Sequence, residues 1–214
     1  MVATRNRGKL REVRQALAGL PWAVRGLWEL TDIPEVKETG ATFEENACLK
    51  ALSAAGATGA LALADDSGLE VEALGGRPGV LSARYAGEGA GDEARAQKVL
   101  SELVGVPRER RRARFVCVVA VARPTGVLWT AKGTCSGFVA EEMRGRGGFG
   151  YDPIFYYPRL RRTFAELTVE EKNAVSHRGR ALRQVRRRLL TELCAGSPGR
   201  EGLGRKERCE GPSS

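Results

Sequence analysis

The chain has 214 residues, 42% of them hydrophobic and 29% charged, a globular composition that excludes collagen-like, coiled-coil and disordered classes and allows one full-sized α/β domain or two small ones, with a substantial core. Its longest strictly apolar run is Phe115–Ala122, well short of the roughly 20 residues that span a bilayer, and the opening MVATRNRGKL has no apolar signal core, so a cytoplasmic protein without a membrane partner is expected. The net charge of +9 raises nucleic acid as a partner, but it is concentrated in Arg108–Arg114 (+4), Arg159–Arg162 (+3) and Arg178–Arg188 (+6), leaving −4 elsewhere, a distribution better read as solvated helix and loop faces.

In chain order, Met1–Thr4 reads as the end of a short strand, and Lys9–Leu20 places Leu10, Val13, Leu17 and Leu20 on one helical stripe. Thr42 and Glu45 form a capping box for a helix through about Ala57, closed by Gly56 and Gly59. Leu61–Ala64 predicts a short buried strand, ending at a polar turn over Asp65-Asp66-Ser67-Gly68. Asp92 is expected to cap a helix carrying Ala96, Val99, Leu100 and Leu103. Phe115–Val121 predicts a strand buried on both faces, with further strands at Val127–Lys132, Gly137–Ala140 and Ile154–Tyr157. Thr168 and Glu171 box a short helix, and Ser176 caps a last one that buries Leu182, Val185, Leu189 and Leu193. From Gly196 to Ser214 almost nothing is apolar, which predicts a disordered tail behind a domain over 1–195, an α/β unit with helices against a mixed sheet. The five cysteines are scattered, with no C-x-x-C pair, so free thiols are expected.

Four constellations can carry chemistry. Thr4-Arg5-Asn6-Arg7-Gly8-Lys9 lies between a strand end and a helix start, where free N–H groups, the helix dipole and a lysine favour a phosphate; it is not a P-loop, since Ala3 and Leu10 occupy positions that motif gives to glycine and a hydroxyl. Adjacent Asp65 and Asp66 at a strand end repel unless a cation or solvent relieves them; an Asx-turn into Ser67 explains one of them better than two, and Glu45 either caps or joins them on a metal. Gly145–Gly150 satisfies G-x-G-x-x-G but leads into a strand rather than a helix, which excludes a dinucleotide fingerprint and leaves either a glycine loop presenting Phe149, Tyr151 and Asp152, suited to a planar base, or a tight glycine turn with Phe149 packed inward. Lys172, with His177 and Arg178, gathers donors at the junction of two helices, although a lone histidine is more often simply solvated or satisfied.

Taken in order, Thr4-x-Asn6-x-x-Lys9, Thr42-Phe43-Glu44-Glu45-Asn46-Ala47-x-x-Lys50-Ala51, Ala64-Asp65-Asp66-Ser67-Gly68-Leu69, Gly79-Val80-x-Ser82-Ala83-Arg84-Tyr85, Gly147-Gly148-Phe149-Gly150-Tyr151-Asp152-Pro153 and Glu170-Glu171-Lys172-x-x-x-Ser176-His177-Arg178 resemble the inosine/xanthosine triphosphate pyrophosphatase family over nearly all of 1–195. The resemblance implies an elongated mixed sheet flanked by helices, two lobes with an active-site cleft between them, and a Mg²⁺-dependent homodimer. The activity it implies is conversion of ITP, dITP and XTP to the monophosphate and pyrophosphate, with no stable nucleic-acid partner. It also implies that Asp66 is proton acceptor and metal ligand, and that Glu45 is a second metal carboxylate. Thr4, Arg5, Asn6, Arg7, Gly8 and Lys9 would hold the triphosphate, and Ser67, Phe149, Gly150, Tyr151, Asp152, Lys172, His177 and Arg178 would make further substrate contacts. The alternatives are a Maf-like nucleotide pyrophosphatase of other specificity and, from a different class, a nucleic-acid-binding protein using the arginine-rich segments.

Overall fold

A computed structural model describes residues 1–29 and 36–195; the expected tail, Gly196–Ser214, lies outside the described residues. Helix α1 (Arg7–Ala16) and helix α2 (Phe43–Thr58) precede the long strand β1 (Ala62–Val71), and helix α3 (Asp92–Glu102) leads to strands β2 (Arg112–Arg123) and β3 (Gly126–Val139). Short strands β4 (Phe155–Tyr157) and β5 (Arg162–Thr163) complete the sheet, and helices α4 (Val169–Val175) and α5 (His177–Ala195) end the described chain. The strands lie in the order β1-β2-β3-β4-β5, and every pairing between them is antiparallel. The parallel component expected of a mixed sheet is confined to isolated bridges from Val2 to Leu63 and Gly26. At about 3.3 Å per residue, the 14 residues of β3 span about 45 Å, which makes the sheet elongated.

Period-2 alternation along β2 sorts the core. Val116, Val118, Ala120 and Ala122 pack with Ala47, Ala51, Ala54 and Ala55 of α2, whose small side chains let the helix lie close to the sheet. Cys117, Val119 and Val121 face the other way, onto Leu10 and Val13 of α1 and Leu182, Val185 and Leu189 of α5. A third cluster gathers at the far end of the sheet, where Leu69, Phe115 and Cys135 align across three strands and pack with α3 and with Ile154, Phe155 and Phe164.

The helices expected from capping signals form as expected. Thr42 with Glu45 and Thr168 with Glu171 both complete capping boxes, and Ser176 Oγ accepts from the Gly179 N–H at the start of α5. Gly91, not Asp92, is the N-cap of α3, with Asp92 as its first helical residue. Helix α1 starts two residues earlier than expected and stops at Ala16, with Leu17 as its C-cap.

Two strand assignments change. Asp65-Asp66-Ser67-Gly68 is no turn: β1 runs straight through it, because every one of its backbone positions is paired with β2, from Asp65 opposite Val119 to Gly68 opposite Val116. The strands expected at Val127–Lys132 and Gly137–Ala140 are one strand, β3. Its glycines mark close approach rather than a break: a Cβ on Gly133 would stand 2.1 Å from the His177 carbonyl oxygen on α5, and one on Gly137 would stand 2.4 Å from the Tyr156 carbonyl oxygen.

The arginine-rich segments are built into the fold to a degree their charge alone does not suggest. Arg111 is buried and donates to the carbonyls of Leu103, Val106 and Ala140. On α5, Arg180, Arg183 and Arg186 donate to the carbonyls of Thr134, Asn173, Ala16 and Ala18, and Arg188 lies over the Trp129 ring. Cys48, Cys117, Cys135 and Cys194 are free. Among the described residues, no helix is long and apolar enough to cross a membrane.

Candidate active site

The side chains that sequence reasoning singled out converge on a hollow about midway along β1, between α1, the glycine loop and the α4–α5 junction. Two adjoining spaces of about 130 and 230 Å³ share Asn6, Lys9, Glu38 and Ala83 in their walls. Asn6 caps α1 by accepting from the Lys9 N–H at 3.0 Å, and Thr4 Oγ1 accepts from the Asn6 N–H. Arg7 and Gly8 form the first turn of α1. Gly8 has no side chain for a reason: a Cβ there would stand 2.6 Å from the Phe149 ring. The loop before α1 and the glycine loop, about 140 residues apart in sequence, are therefore packed against each other.

Strand alternation settles how two neighbouring carboxylates coexist. Successive side chains of β1 leave on opposite faces of the sheet, so Asp65 turns toward α1 and α5 while Asp66 turns toward α2. Lys9 Nζ lies 3.0 Å and Arg178 Nη2 3.1 Å from Asp65 Oδ2. Burial opposes the charge on Asp65, but Lys9, Arg178 and Lys50 outweigh it and hold the carboxyl far below the ordinary carboxylate range. On the other face, Asp66 accepts from Lys50 Nζ at 3.0 Å and from Asn46 Nδ2 at 3.3 Å. Its pKa is raised, by burial first and by Glu38 in addition, against the pull of Lys50 and Lys9. Asp66 is thus the more basic of the two, as a proton acceptor requires.

Glu45, expected on the metal, is occupied otherwise. Its Oε2 accepts from the Ala41 N–H at 2.7 Å and the Thr42 N–H at 3.3 Å, closing the capping box of α2, and it does not line the hollow. A glutamate that does line it is Glu38, whose Oε1 lies 2.6 Å from the same Lys50 Nζ that contacts Asp66. Glu38 and Lys50 were not among the expected site residues. Glu38 sits in a polar stretch without regular structure, where nothing local distinguishes it, while Lys50 reads locally as an ordinary surface lysine on α2.

At the other end, Lys172 is buried, with Nζ 2.5 Å from Asp152 Oδ2 and 3.0 Å from Glu12 Oε1. Arg178, also buried, donates to Glu12 Oε2 at 2.6 Å, to Asp65 Oδ2 and to Ser67 Oγ. Both cations lie over the Phe149 ring, at 4.3 Å for Lys172 Nζ and 5.4 Å for Arg178 Cζ. Burial raises the Asp152 carboxyl, opposed by Lys172. In Glu12 the order reverses: burial raises it, but Arg178 and Lys172 together leave it below the usual value. Glu12, on the buried side of α1, is a second partner that periodicity alone would call a surface acid. Tyr151 is buried, its hydroxyl donating to the Ser82 carbonyl at 2.8 Å.

His177 is 3% exposed and its ring stacks on Phe115, centroids 4.4 Å apart and 10° from parallel. Burial, with Arg178 and Lys172 nearby, pushes its pKa well below 6.5, so the imidazole is neutral. Its Nδ1 is buried without a hydrogen-bond partner, a costly state that a ligand in the hollow would relieve. The structure therefore brings Asn6, Lys9, Asp66, Ser67, Phe149, Gly150, Tyr151, Asp152, Lys172, His177 and Arg178 to one wall system, with Thr4 and Arg5 on the adjoining one.

The chain is similar to known proteins over most of its length. It is 53% identical over 185 residues to a dITP/XTP pyrophosphatase of Desulforamulus reducens, covering 86% of this chain and 92% of the relative. It is 56% identical over 182 residues to one of Geobacter sulfurreducens, covering 85% and 92%. Among solved structures, a HAM1 protein from Coxiella burnetii superposes with a TM-score of 0.80 at 47% identity, over 89% of this chain and 97% of that one. With a family model matching residues 1–188 as well, the chain belongs to the Ham1 family.

Proposed function

We propose that the protein hydrolyses deaminated purine nucleoside triphosphates, ITP, dITP and XTP, to the monophosphate and pyrophosphate. The observation that carries this is the hollow itself, which brings lysines and carboxylates together with an aromatic ring and an unpartnered imidazole nitrogen. The relatives' shared description as dITP/XTP pyrophosphatases supports it. Lys9, Lys50 and the N–H groups opening α1 suit a triphosphate, and Thr4, Arg5, Asn6, Arg7 and Gly8 belong to the same loop and turn. Glu38 and Asp66 fit Mg²⁺, a cation held by one or two carboxylates together with substrate phosphates. The contact of Lys50 Nζ with both carboxylates supports this reading, since it marks the place between them as one for positive charge. Bound there, Mg²⁺ would neutralise charge on the phosphates. The Asp66 carboxylate takes the proton of a water as its oxygen adds to the α-phosphorus and pyrophosphate leaves.

Base selection falls to His177, because the guanidinium of Arg178 is engaged by Asp65, Glu12 and Ser67. A neutral imidazole carrying its proton on Nδ1 donates to the O6 acceptor of hypoxanthine or xanthine; adenine offers an amino donor at that position and leaves Nδ1 unpaired. Homodimer assembly and a cytoplasmic location, both implied by the family resemblance, belong to the same proposal.

Pyrophosphate release from ITP, dITP, XTP, GTP and ATP, with and without Mg²⁺, tests this. Turnover should favour ITP and XTP and require the metal, and Asp66→Asn should lower kcat by about 10²–10⁴. Equal turnover of ATP overturns the base selection, and an unaffected Asp66→Asn variant overturns the role of Asp66.

A further inference from the structure

The glycine loop is held from two sides. On its own side, the Phe149 N–H donates to Asp152 Oδ2 at 2.8 Å, and Asp152 is in turn paired with Lys172. From the opposite wall comes a contact that neither the motif blocks nor the proposed chemistry uses: the Gly150 N–H donates to Asp92 Oδ2 at 2.6 Å. Asp92 is itself fixed. Its other carboxylate oxygen accepts from Arg95 Nη2, and Arg95 Nη1 is tied to the carbonyls of Ala83 and Ala90. Asp92, Arg95 and the loop all line the hollow. The Gly147 N–H also holds the base of the loop, donating to the Ala165 carbonyl at 3.0 Å, but Gly148 and Gly150 have φ of +71° and +64°, the left-handed region in which glycine is the unstrained residue, so beyond that bond the placing of Phe149 and Gly150 draws on the two aspartate anchors.

We propose that Asp92 is a positioning residue for nucleotide binding: held by Arg95, it fastens Gly150 and thereby fixes Phe149 over Lys172 and Arg178. An N–H donated to a carboxylate is among the stronger hydrogen bonds, and this one joins α3 to the loop within the lining of the hollow. The contacts of Asp92 are to Gly150 and Arg95, not to Glu38 or Asp66, the carboxylates assigned to the metal, so its loss should weaken binding without slowing chemistry. The kinetic consequence rests on the proposed nucleotide hydrolysis; the anchoring does not.

Two measurements on the full chain separate them. Amide hydrogen exchange of the protein without nucleotide should show Asp92→Ala exchanging faster in a peptide covering 147–151, with α4 and α5 unchanged and Asp92→Asn, which keeps an acceptor oxygen, lying between. A rise of about tenfold in KM for ITP with kcat within about twofold should accompany it, the signature of lost binding that is uniform in ground and transition states. Arg95→Met, which leaves Asp92 in place but unsupported, should shift both readouts in the same direction and by less. Exchange in 147–151 equal to wild type overturns the anchoring, as does acceleration spread over the whole chain, which would mean that Asp92 only stabilises the fold. Faster loop exchange with unchanged KM overturns the link to binding. If wild type releases no pyrophosphate from any of these nucleotides, the functional proposal fails while the exchange measurement still decides the anchor.

Discussion

At the scale of single residues, the site is a set of charges whose protonation is settled by neighbours, and His177 shows how this becomes measurable. Folded, it resists protonation; unfolded, an imidazole takes up a proton near pH 6.5. Below that pH the unfolded chain therefore binds more protons than the folded one, and stability falls with falling pH. Urea unfolding of wild type between pH 7.5 and 5.5 should show this loss, reaching up to about 1.4 kcal/mol per pH unit from this residue, and His177→Gln should give a flatter curve by that amount. Parallel curves would mean that the imidazole accepts a proton inside the fold. The residue types of the site were legible where a motif names them, as with Asn6, Lys9, Asp66 and Phe149. Glu12, Glu38 and Asp92 were not, because each looks locally like an ordinary helix or loop residue and acquires its role from a partner far along the chain; Lys50 stands in a motif block, but nothing local gives it a role in the site. Glu12 and Arg178, the extreme case, are 166 residues apart.

At the scale of elements, local chemistry announced the helices and tertiary pairing decided the strands. Capping boxes at Thr42 and Thr168 are closed within four residues, so sequence suffices for them. The polar segment Asp65–Gly68 has turn chemistry, yet it is strand, since β2 supplies the backbone partners and Lys9, Arg178, Lys50 and Asn46 supply the counter-groups. Gly133 makes the same point for β3, where a residue that suggests a strand end is the place at which α5 crosses the sheet. A methyl group there would meet the His177 carbonyl oxygen and the Ala181 nitrogen, 2.1 and 2.6 Å away, both backbone atoms that cannot turn aside. Gly133→Ala should cost about 1–3 kcal/mol and lower the melting temperature by about 2–4 °C for each of them. It should also lower activity, because the displaced segment begins with His177. A variant melting with wild type would show that α5 can shift without penalty.

At the scale of the whole molecule, the buried ionic network ties α1 and α5, which already share one hydrophobic cluster, to α4 and the segment after the glycine loop, which pack in another. Glu12 from α1 holds Lys172 of α4 and Arg178 of α5; Arg178 reaches Asp65 on β1, and Lys172 reaches Asp152 beside the glycine loop. This also revises the meaning of the net charge: much of the arginine-rich sequence is engaged with carbonyls and carboxylates of the fold, so +9 is a poor guide to a polynucleotide partner. Removing one member of a buried pair typically costs about 3–5 kcal/mol because a charge is left uncompensated. For Glu12→Leu the lower end, about 3 kcal/mol, is expected, since Asp152 and Asp65 still face the two orphaned cations. The pH dependence has a definite sign. The folded pKa of Glu12 lies below the ordinary 4.5, so its contribution is complete above that pH and disappears as pH falls through the folded value. The stability gap between wild type and Glu12→Leu, measured by urea unfolding, should therefore be constant from pH 7 to 5 and shrink only in stronger acid. A gap that already closes near pH 6 would assign the effect to His177 rather than to Glu12, and no gap at all would show that α1, α4 and α5 are held by their apolar contacts alone.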